Sequence, residues 1–366
     1  MTSPITFPAH VIGLMSGTSA DGVDAALLYT NGRDIAEGGA SLFVPYGDQL
    51  RADILGLMRG EGDAEKIART LTDVHVEAVR QLERETNIAA ALVGFHGQTI
   101  LHKPEAGITQ QIGDADYLAQ QTDIPVVFDF RTNDVQHGGQ GAPLVPLFHA
   151  ALSAELPKPL MVVNIGGVAN VTWIGEAEGD ILAFDCGPGN ALLDDWMAEH
   201  TGARCDRDGA TAAKGEVDQA IVQQFVQHPF FALPAPKSLD RNQFSRAAVK
   251  DLSCKDGAAT LTAMTCAAIA QSLKQVKSQP KILLVTGGGR HNPTMMRLLA
   301  EAMVPFTSPE QPMHIAPVES VGWDGDMLEA QAFAYLAARS VLGLPLSLPT
   351  TTGVRQPVTG GVFYRL

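Results

Sequence analysis

The sequence has no uninterrupted apolar run of the about 18 residues that a helix needs to cross a bilayer. Its opening, MTSPITFPAHVIGL, has no basic stretch ahead of a long apolar one, so a secretory leader is not expected and a cytoplasmic location is. Cysteine is scarce. Cys186, Cys205, Cys254 and Cys266 show no CxxC or CxxH spacing, which excludes the usual zinc clusters and leaves reduced thiols as the expectation. Basic charge is short as well, with 26 Lys and Arg against 40 Asp and Glu and a formal net charge of −14. A nucleic-acid footprint needs clustered cations, so no nucleic-acid partner is expected, and no membrane. Small anions are not excluded, because helix N-termini and loop amides bind phosphate without net positive charge. Two familiar nucleotide signatures are also missing: the GxxxxGK[ST] loop and GxGxxG.

What is present is ordinary globular composition, 45% hydrophobic over 366 residues, enough for two cores. Apolar runs bounded by turn residues predict strands over 11–15, 23–29 and 38–44. A long helix over 63–85 follows, with Ile67, Leu71, Val74, Ala78 and Leu82 as one buried stripe and Asp63 as its cap. Next come a strand at 90–95, a helix at 114–121 and a strand at 125–128. The second half repeats the plan: strands at 160–165, 168–174 and 181–184, helices at 190–200 and 257–276, then strand 282–285, helix 291–303, strand 314–316 and helix 326–339. Three meandering strands followed by alternating helices and strands, twice over, point to a duplicated α/β fold. Two unrelated doubly wound domains share that alternation and remain the alternative.

Chemistry-bearing residues gather at the turns. Gly17, Thr18, Ser19, Ala20, Asp21, Gly22, Val23 and Asp24 form a polar glycine turn between the first two strands. Its glycines permit positive φ and close approach, its hydroxyls and amides suit phosphate oxygens, and Asp21 and Asp24 suit Mg²⁺ held through water. A plain hairpin turn is the competing reading. The matching turn of the second half, NIGGVANVT, carries Gly166, Gly167 and Asn170. In TGGGRHNP, Gly287, Gly288 and Gly289 let backbone lie against a flat group such as adenine. Asp185 in FDCGPGN ends a strand before a rigid turn, which suits a general base, or alternatively a helix N-terminal carboxylate. Asp194 and Asp195, inside the following helix, read as structural. HGQTI follows a strand end, as does FDFRTNDV, whose Arg131 can grip a carboxylate in two parallel bonds or simply pair with Asp129 or Asp134. Glu329 lies among Leu328, Ala330, Ala332 and Phe333, which implies partial burial.

Taken together, GLMSGTSADGVDAALL, GFHGQTI, DFRTNDV, GQGAPLVP, NIGGVANVT, FDCGPGN, TGGGRHNP and GWDGDMLEAQAFAYLA closely resemble the anhydro-N-acetylmuramic acid kinase family over nearly the whole chain. The resemblance implies a two-domain actin/hexokinase-like fold, a duplicated ribonuclease H-like plan with an interdomain nucleotide cleft. The expected domains are 1–145 and 146–366, with the C-terminal tail a candidate to pack back on the first. The implied reaction is opening of 1,6-anhydro-N-acetylmuramic acid by water and phosphorylation of its 6-oxygen, with ATP and Mg²⁺, in peptidoglycan recycling. By resemblance Asp185 activates the water and Gly17 to Asp24 hold the ATP phosphates. Asn170 and Gly287 to Gly289 line the nucleotide, and Arg131, Glu329, Gln98, Thr99 and Asp134 belong to the sugar site. A small sugar is the expected partner; a homodimer stays open. Ala20 stands where the family usually has Met, and Cys186 where it more often has Thr, which places a candidate thiol-sensitive position beside the acid. Kinases or phosphatases of the same superfold acting on acetate, polyphosphate or an intact sugar, and nucleotide-driven chaperones or filaments, are the alternatives.

Overall fold

The computed structural model describes residues 5–239, 243–307 and 312–365; residues 1–4, at the start of the segment read for a leader, lie outside them. Contacts divide the chain into two compact units, the first made of Met1–Ala154 and Met327–Leu366, the second of Glu155–Asp326.

The first unit opens with β1 (Ala9–Ser16), β2 (Gly22–Thr30) and β3 (Ile35–Pro45). α1 (Asp48–Met58) and α2 (Ala64–Thr86) follow. The expected cap holds: the Asp63 carboxylate accepts from the amides of Glu65 and Lys66, satisfying donors that the first helical turn leaves open. Ile67, Leu71, Ala78 and Leu82 are buried along α2, and the Asn87 cap ends it in a left-handed conformation. The chain continues through β4 (Leu92–Lys103), β5 (Ile108–Ile112), α3 (Ala115–Thr122), β6 (Val126–Phe128), α4 (Thr132–Gln136) and α5 (Pro146–Leu152).

In the second unit β7 (Leu160–Ile165) and β8 (Val168–Ile174) match their expected bounds. β9 (Ile181–Pro188) is four residues longer than expected, so Asp185 lies within a strand instead of ending one. Then come α6 (Ala191–Thr201), α7 (Gln219–Phe225), α8 (Cys254–Ser272), β10 (Ile282–Thr286), α9 (Pro293–Met303) and β11 (His314–Pro317). The chain returns to the first unit as α10 (Leu328–Val341) and β12 (Val362–Tyr364).

The two sheets share a five-strand plan. The first runs β12-β6-β4-β1-β2-β3 with β5 pairing β4, the second β11-β10-β7-β8-β9. In each, the middle strand of the opening meander is antiparallel to its neighbours, and two later strands continue parallel outward from the first, β4 then β6 in one sheet and β10 then β11 in the other; β5 and β12 are antiparallel additions to the first sheet. The duplicated ribonuclease H-like plan expected from the two openings is therefore present. The β1–β2 and β7–β8 turns, matched in sequence by their glycines, are topologically equivalent. Each unit has its own apolar core: Leu14, Leu71, Val79 and Phe95 in the first, Trp173, Phe184, Trp196 and Leu283 in the second.

The division differs from the expected break at 145/146. The chain leaves the first unit after Ala154 and re-enters at Met327. The reason is α10, which lies on the first sheet at Gly13 of β1 and Gly94 of β4. A Cβ at Gly13 would stand 1.8 Å from the Ala330 carbonyl oxygen, and one at Gly94 2.2 Å from that of Phe333. Only residues without a side chain let helix and sheet approach so closely.

Candidate active site

In the first unit the glycine turn is held at both ends. The Tyr46 hydroxyl donates to Ser16 Oγ (2.9 Å), and the Ser16 hydroxyl donates to Gln98 Oε1 (2.6 Å). Gln98 Nε2 then donates to the Gly17 carbonyl (3.0 Å). The Tyr46 amide donates to the Asp21 carbonyl at the far end (2.9 Å). Gln98 and Ser16 are buried, and burial pushes the Tyr46 phenol above its usual range, with the charges of Asp21 and Asp24 adding to the shift. Thr18, Ser19 and Asp21 are exposed along the turn, and Ser19 donates to Asp21 Oδ1 (2.8 Å). Neither Gly17 nor Gly22 takes the positive φ expected of it; Ala20 does, at 50°. Gly22 is required for another reason, since a Cβ there would meet the Val44 carbonyl oxygen at 2.4 Å.

HGQTI lies inside β4, not beyond its end, and pairs onward with β5. Gln111 donates to Thr99 Oγ1 (3.2 Å), and Thr99 is half-buried. His96 Nδ1 contacts the Gly97 carbonyl (2.8 Å), so this nitrogen carries the proton, and Nε2 accepts from Arg131 Nε (2.9 Å). Burial first, and the Arg131 charge second, hold the imidazole well below its ordinary pKa. It is a neutral acceptor. Arg131 also donates to the Gly141 carbonyl (2.7 Å) and does not pair with Asp129 or Asp134. Asp134 is occupied on both oxygens, Oδ1 by the Gly141 amide and Oδ2 by the Thr352 hydroxyl, each at 2.6 Å. Glu329 is exposed, not partly buried, although Leu328, Ala330, Ala332 and Phe333 beside it are buried. Crowding by protein still raises its carboxyl above the ordinary range, and the Arg131 charge opposes that shift.

In the second unit Asp185 and Asn170 are direct partners across the β8–β9 ladder. Antiparallel partners project their side chains to one face, so this carboxylate and this amide are neighbours. The Asp185 amide donates to the Lys237 carbonyl (2.9 Å), and Asp185 Oδ2 accepts from the Leu239 amide (2.8 Å). Burial pushes the Asp185 carboxyl up to about 6, against that hydrogen bond, which lowers it. A base with a pKa near the working pH combines ionisation with proton affinity. Asp185 is therefore not an exposed helix-capping carboxylate.

The Gly166 and Gly167 carbonyls accept from the amides of Asn190, Gly189 and Ala191, so this turn caps the start of α6. Of the glycine triplet, two members serve close packing inside the protein. Cβ atoms at Gly287 and Gly289 would stand 2.3 Å from Asn164 Oδ1 and 2.5 Å from Ile165 Cγ2. Gly288 is the exposed member. The neighbouring Arg290, a residue the sequence reading passed over, is buried and bonds Glu319 (2.7 Å), Asp326 (2.8 Å) and the Gly287 carbonyl (3.0 Å). Cys186 is buried, donates to the Ala169 carbonyl (3.2 Å), and has its thiol pushed up chiefly by burial. A thiol-sensitive position beside Asp185 is thus overturned, since reactivity needs an accessible thiolate.

Residues 9–365 match the family described as anhydro-N-acetylmuramic acid kinase. The chain belongs to that family. An anhydro-N-acetylmuramic acid kinase of Acidiphilium cryptum is 52% identical over 366 residues, covering 97% of this chain and 98% of that one. One of Rhodospirillum rubrum is 49% identical over 358 residues, covering 96% and 93%. The chain is also similar to the ROK hexokinase of Thermus thermophilus, with a TM-score of 0.45, 15% identity, and coverage of 89% of this chain and 99% of that one. Membership makes the chain an enzyme, a kinase. No helix among the described residues is long and apolar enough to cross a membrane.

His96, Tyr46, Lys237 and Leu239 are the residues that sequence reasoning missed. His96 stood inside a quoted motif, but the partners of His96, Tyr46 and Leu239 at the site are far away in the chain. No local spacing signals such contacts.

Proposed function

We propose that this kinase uses ATP to open 1,6-anhydro-N-acetylmuramic acid and to phosphorylate its 6-oxygen, giving N-acetylmuramic acid 6-phosphate and ADP in cell-wall recycling. The observation that carries the reading is Asp185: a carboxylate fixed by the Leu239 amide, beside Asn170, with its pKa pushed up to about 6. Ionised above that pH, it takes a proton from water as the water attacks the anomeric carbon. The bond from that carbon to the bridging 6-oxygen breaks, and the freed oxygen attacks the γ-phosphorus as ADP departs. The protein's part in such a transfer is positioning and charge neutralisation.

The exposed edge of the Gly17–Asp24 turn, Thr18 and Ser19 above all, holds the phosphate oxygens. Gly22 and Val23 support the turn from within β2, where both are buried. Gln98 acts through the turn by holding the Gly17 carbonyl. Asn170 and Gly288 line the nucleotide, while Gly287 and Gly289 shape the backbone around it. Arg131 and Glu329 meet the sugar, with Thr99 as a weaker contact. Asp134, with both oxygens occupied, positions the Gly141 loop beneath Arg131.

The charges of Asp21 and Asp24 both reach the Tyr46 phenol, and Asp21 is exposed along the turn with Asp24 half-buried. Such a pair suits Mg²⁺, which keeps most of its waters and needs only one or two carboxylates plus phosphate. Among the described residues there is no cluster of three or more His, Cys, Asp or Glu that could hold a metal by itself. Bound there, Mg²⁺ would neutralise phosphate charge. The test is direct: incubate the protein with MgATP and 1,6-anhydro-N-acetylmuramic acid and weigh the products. A product heavier by one water and one phosphoryl group supports the reading. ADP formed with the sugar unchanged overturns it.

A further inference from the structure

Lys237 lies two residues before Leu239, whose amide holds Asp185. Its Nζ donates to the carbonyls of Phe230 (2.9 Å), Leu233 (3.1 Å) and Phe231 (3.5 Å). The ammonium also stands 4.5 Å from the centroid of the Phe230 ring. An ammonium has three donors, and all three are used here on carbonyls around the short helical turn Pro229–Ala232. The Phe230 carbonyl also accepts from the Leu233 amide (3.2 Å), and Gln275 Nε2 donates to the carbonyls of Leu233 (3.0 Å) and Phe231 (3.4 Å), so Lys237 is the charged member of a shared network on this turn. Phe230 is fully buried in the core of the second unit, so the clamp is anchored to something rigid.

The backbone of the same segment is tied to the edge strand β9. The Lys237 carbonyl accepts from the Asp185 amide, and the Leu239 amide donates to Asp185 Oδ2. One residue therefore connects the core to the carboxylate: its side chain grips the Pro229–Ala232 turn, and its backbone starts the two-bond bracket around Asp185. We propose that Lys237 is a positioning residue, a clamp that holds the Leu239 amide against the Asp185 carboxylate and so fixes the orientation and proton affinity of the base. The proposal rests on Asp185 being that base.

The direction of the effect follows from the bracket. A hydrogen bond to a carboxylate favours its ionised form. When the clamp is loosened, the Leu239 amide is no longer held, and the ionised form loses its partner. Among the described residues of the second unit, the titratable groups next to Asp185 are Cys186, whose thiol burial pushes well above its usual range, and Lys237 itself. Neither replaces the lost bond.

The experiment is the pH profile of kcat and KM with MgATP and 1,6-anhydro-N-acetylmuramic acid, for the full chain and for Lys237→Met, Lys237→Arg and Asp185→Asn. In Lys237→Met the acid limb should move upward by on the order of half to one pH unit. Its kcat should fall most near pH 6.5 and recover by pH 8.5, with KM for the sugar unchanged. Lys237→Arg, which can still donate to the carbonyls, should restore the limb. If Lys237→Met does not fold, Lys237→Gln keeps a donor without the charge and should give a smaller shift in the same direction. An acid limb unmoved in a folded variant, or a loss of kcat equal at every pH, overturns the clamp. If Asp185→Asn removes the limb while Lys237→Met leaves it in place, the clamp alone fails. If Asp185→Asn keeps the limb, Asp185 is not the base and both readings fall.

Discussion

Arg131 Nε donates to His96 Nε2 across 2.9 Å, and the other ring nitrogen of His96 is spent on the Gly97 carbonyl. The imidazole is thereby fixed in one tautomer as an uncharged acceptor. The Phe333 ring lies 4.5 Å from it and packs the imidazole in place. The guanidinium is oriented without losing its charge to a carboxylate partner, which leaves it able to attract an anionic group.

His96→Phe keeps a flat ring but removes the acceptor. A hydrogen bond to a charged group contributes about 1.5–3 kcal/mol, so KM for the sugar should rise by roughly 10-fold or more, with KM for ATP unchanged. His96→Gln retains an acceptor and should recover part of the loss. Steady-state kinetics in both substrates checks this, and an unaltered sugar KM in His96→Phe would mean that Arg131 needs no such orientation.

Asp185 should show opposite effects on activity and stability. In the proposed reaction Asp185→Asn removes the proton acceptor and should lower kcat by about 10² or more. Burial pushes the native carboxyl up to about 6 from its ordinary 3.8, so the folded state binds the extra proton between those values. Stability of the wild-type protein therefore falls as pH rises through that window, and above it the ionised carboxylate is a burden. That burden is on the order of 3 kcal/mol at most, less for a half-buried group that water still reaches. Asp185→Asn should unfold at higher denaturant than wild type at pH 8 and show no advantage near pH 4. Equal midpoints at pH 8 would contradict the buried-charge account.

The return of α10 to the first sheet gives a purely structural test. Gly13→Ala places a methyl group 1.8 Å from the Ala330 carbonyl oxygen, a backbone atom that cannot turn aside. Overpacking of this kind costs about 1–3 kcal/mol or more. Gly38→Ala, on β3 with nothing within 4 Å of the added carbon, is the matched control. Urea unfolding should show a lowered midpoint for Gly13→Ala and little change for Gly38→Ala.

Much of this fold was legible wherever a short pattern carries its own cause. Asp63 ahead of an apolar stripe is a cap because its carboxylate reaches two nearby amides, and the helix begins where that logic puts it. β7 and β8 are mostly apolar runs that meet at Gly166 and Gly167, and their bounds follow. α1 was missed because its apolar stripe is weak: Leu50 and Ile54 are buried, and Leu55 and Leu57 only partly. β5 and β12 depend on partners elsewhere in the chain, and β12 is only three residues long. The first unit runs nine residues past the expected break and takes in the C-terminal return, for which Gly13 and Gly94 carry the signal, since a lone glycine in an apolar strand marks a close backbone approach. At the site, Asp185 and Arg131 were readable as single residues. What holds them was not, because Leu239 and His96 act through contacts 54 and 35 residues away.

The stereochemistry of the product tests the role of Asp185 most sharply. In a 1,6-anhydro sugar the bridging oxygen occupies the β face of the anomeric carbon. Water that displaces it in line must arrive from the α face, with Asp185 accepting its proton there. In the proposed reaction the negative charge that grows on the departing 6-oxygen is relieved as that oxygen captures the γ-phosphoryl group of ATP, so a separate general acid is not required. The first product formed should then be the α anomer of N-acetylmuramic acid 6-phosphate, relaxing afterwards to the equilibrium mixture by mutarotation. Proton NMR within the first minutes, at high enzyme concentration, distinguishes the two anomers. If the β anomer appears first, the carbon has been substituted twice through a covalent intermediate. Asp185 would then be a nucleophile, and not the base that activates a single water.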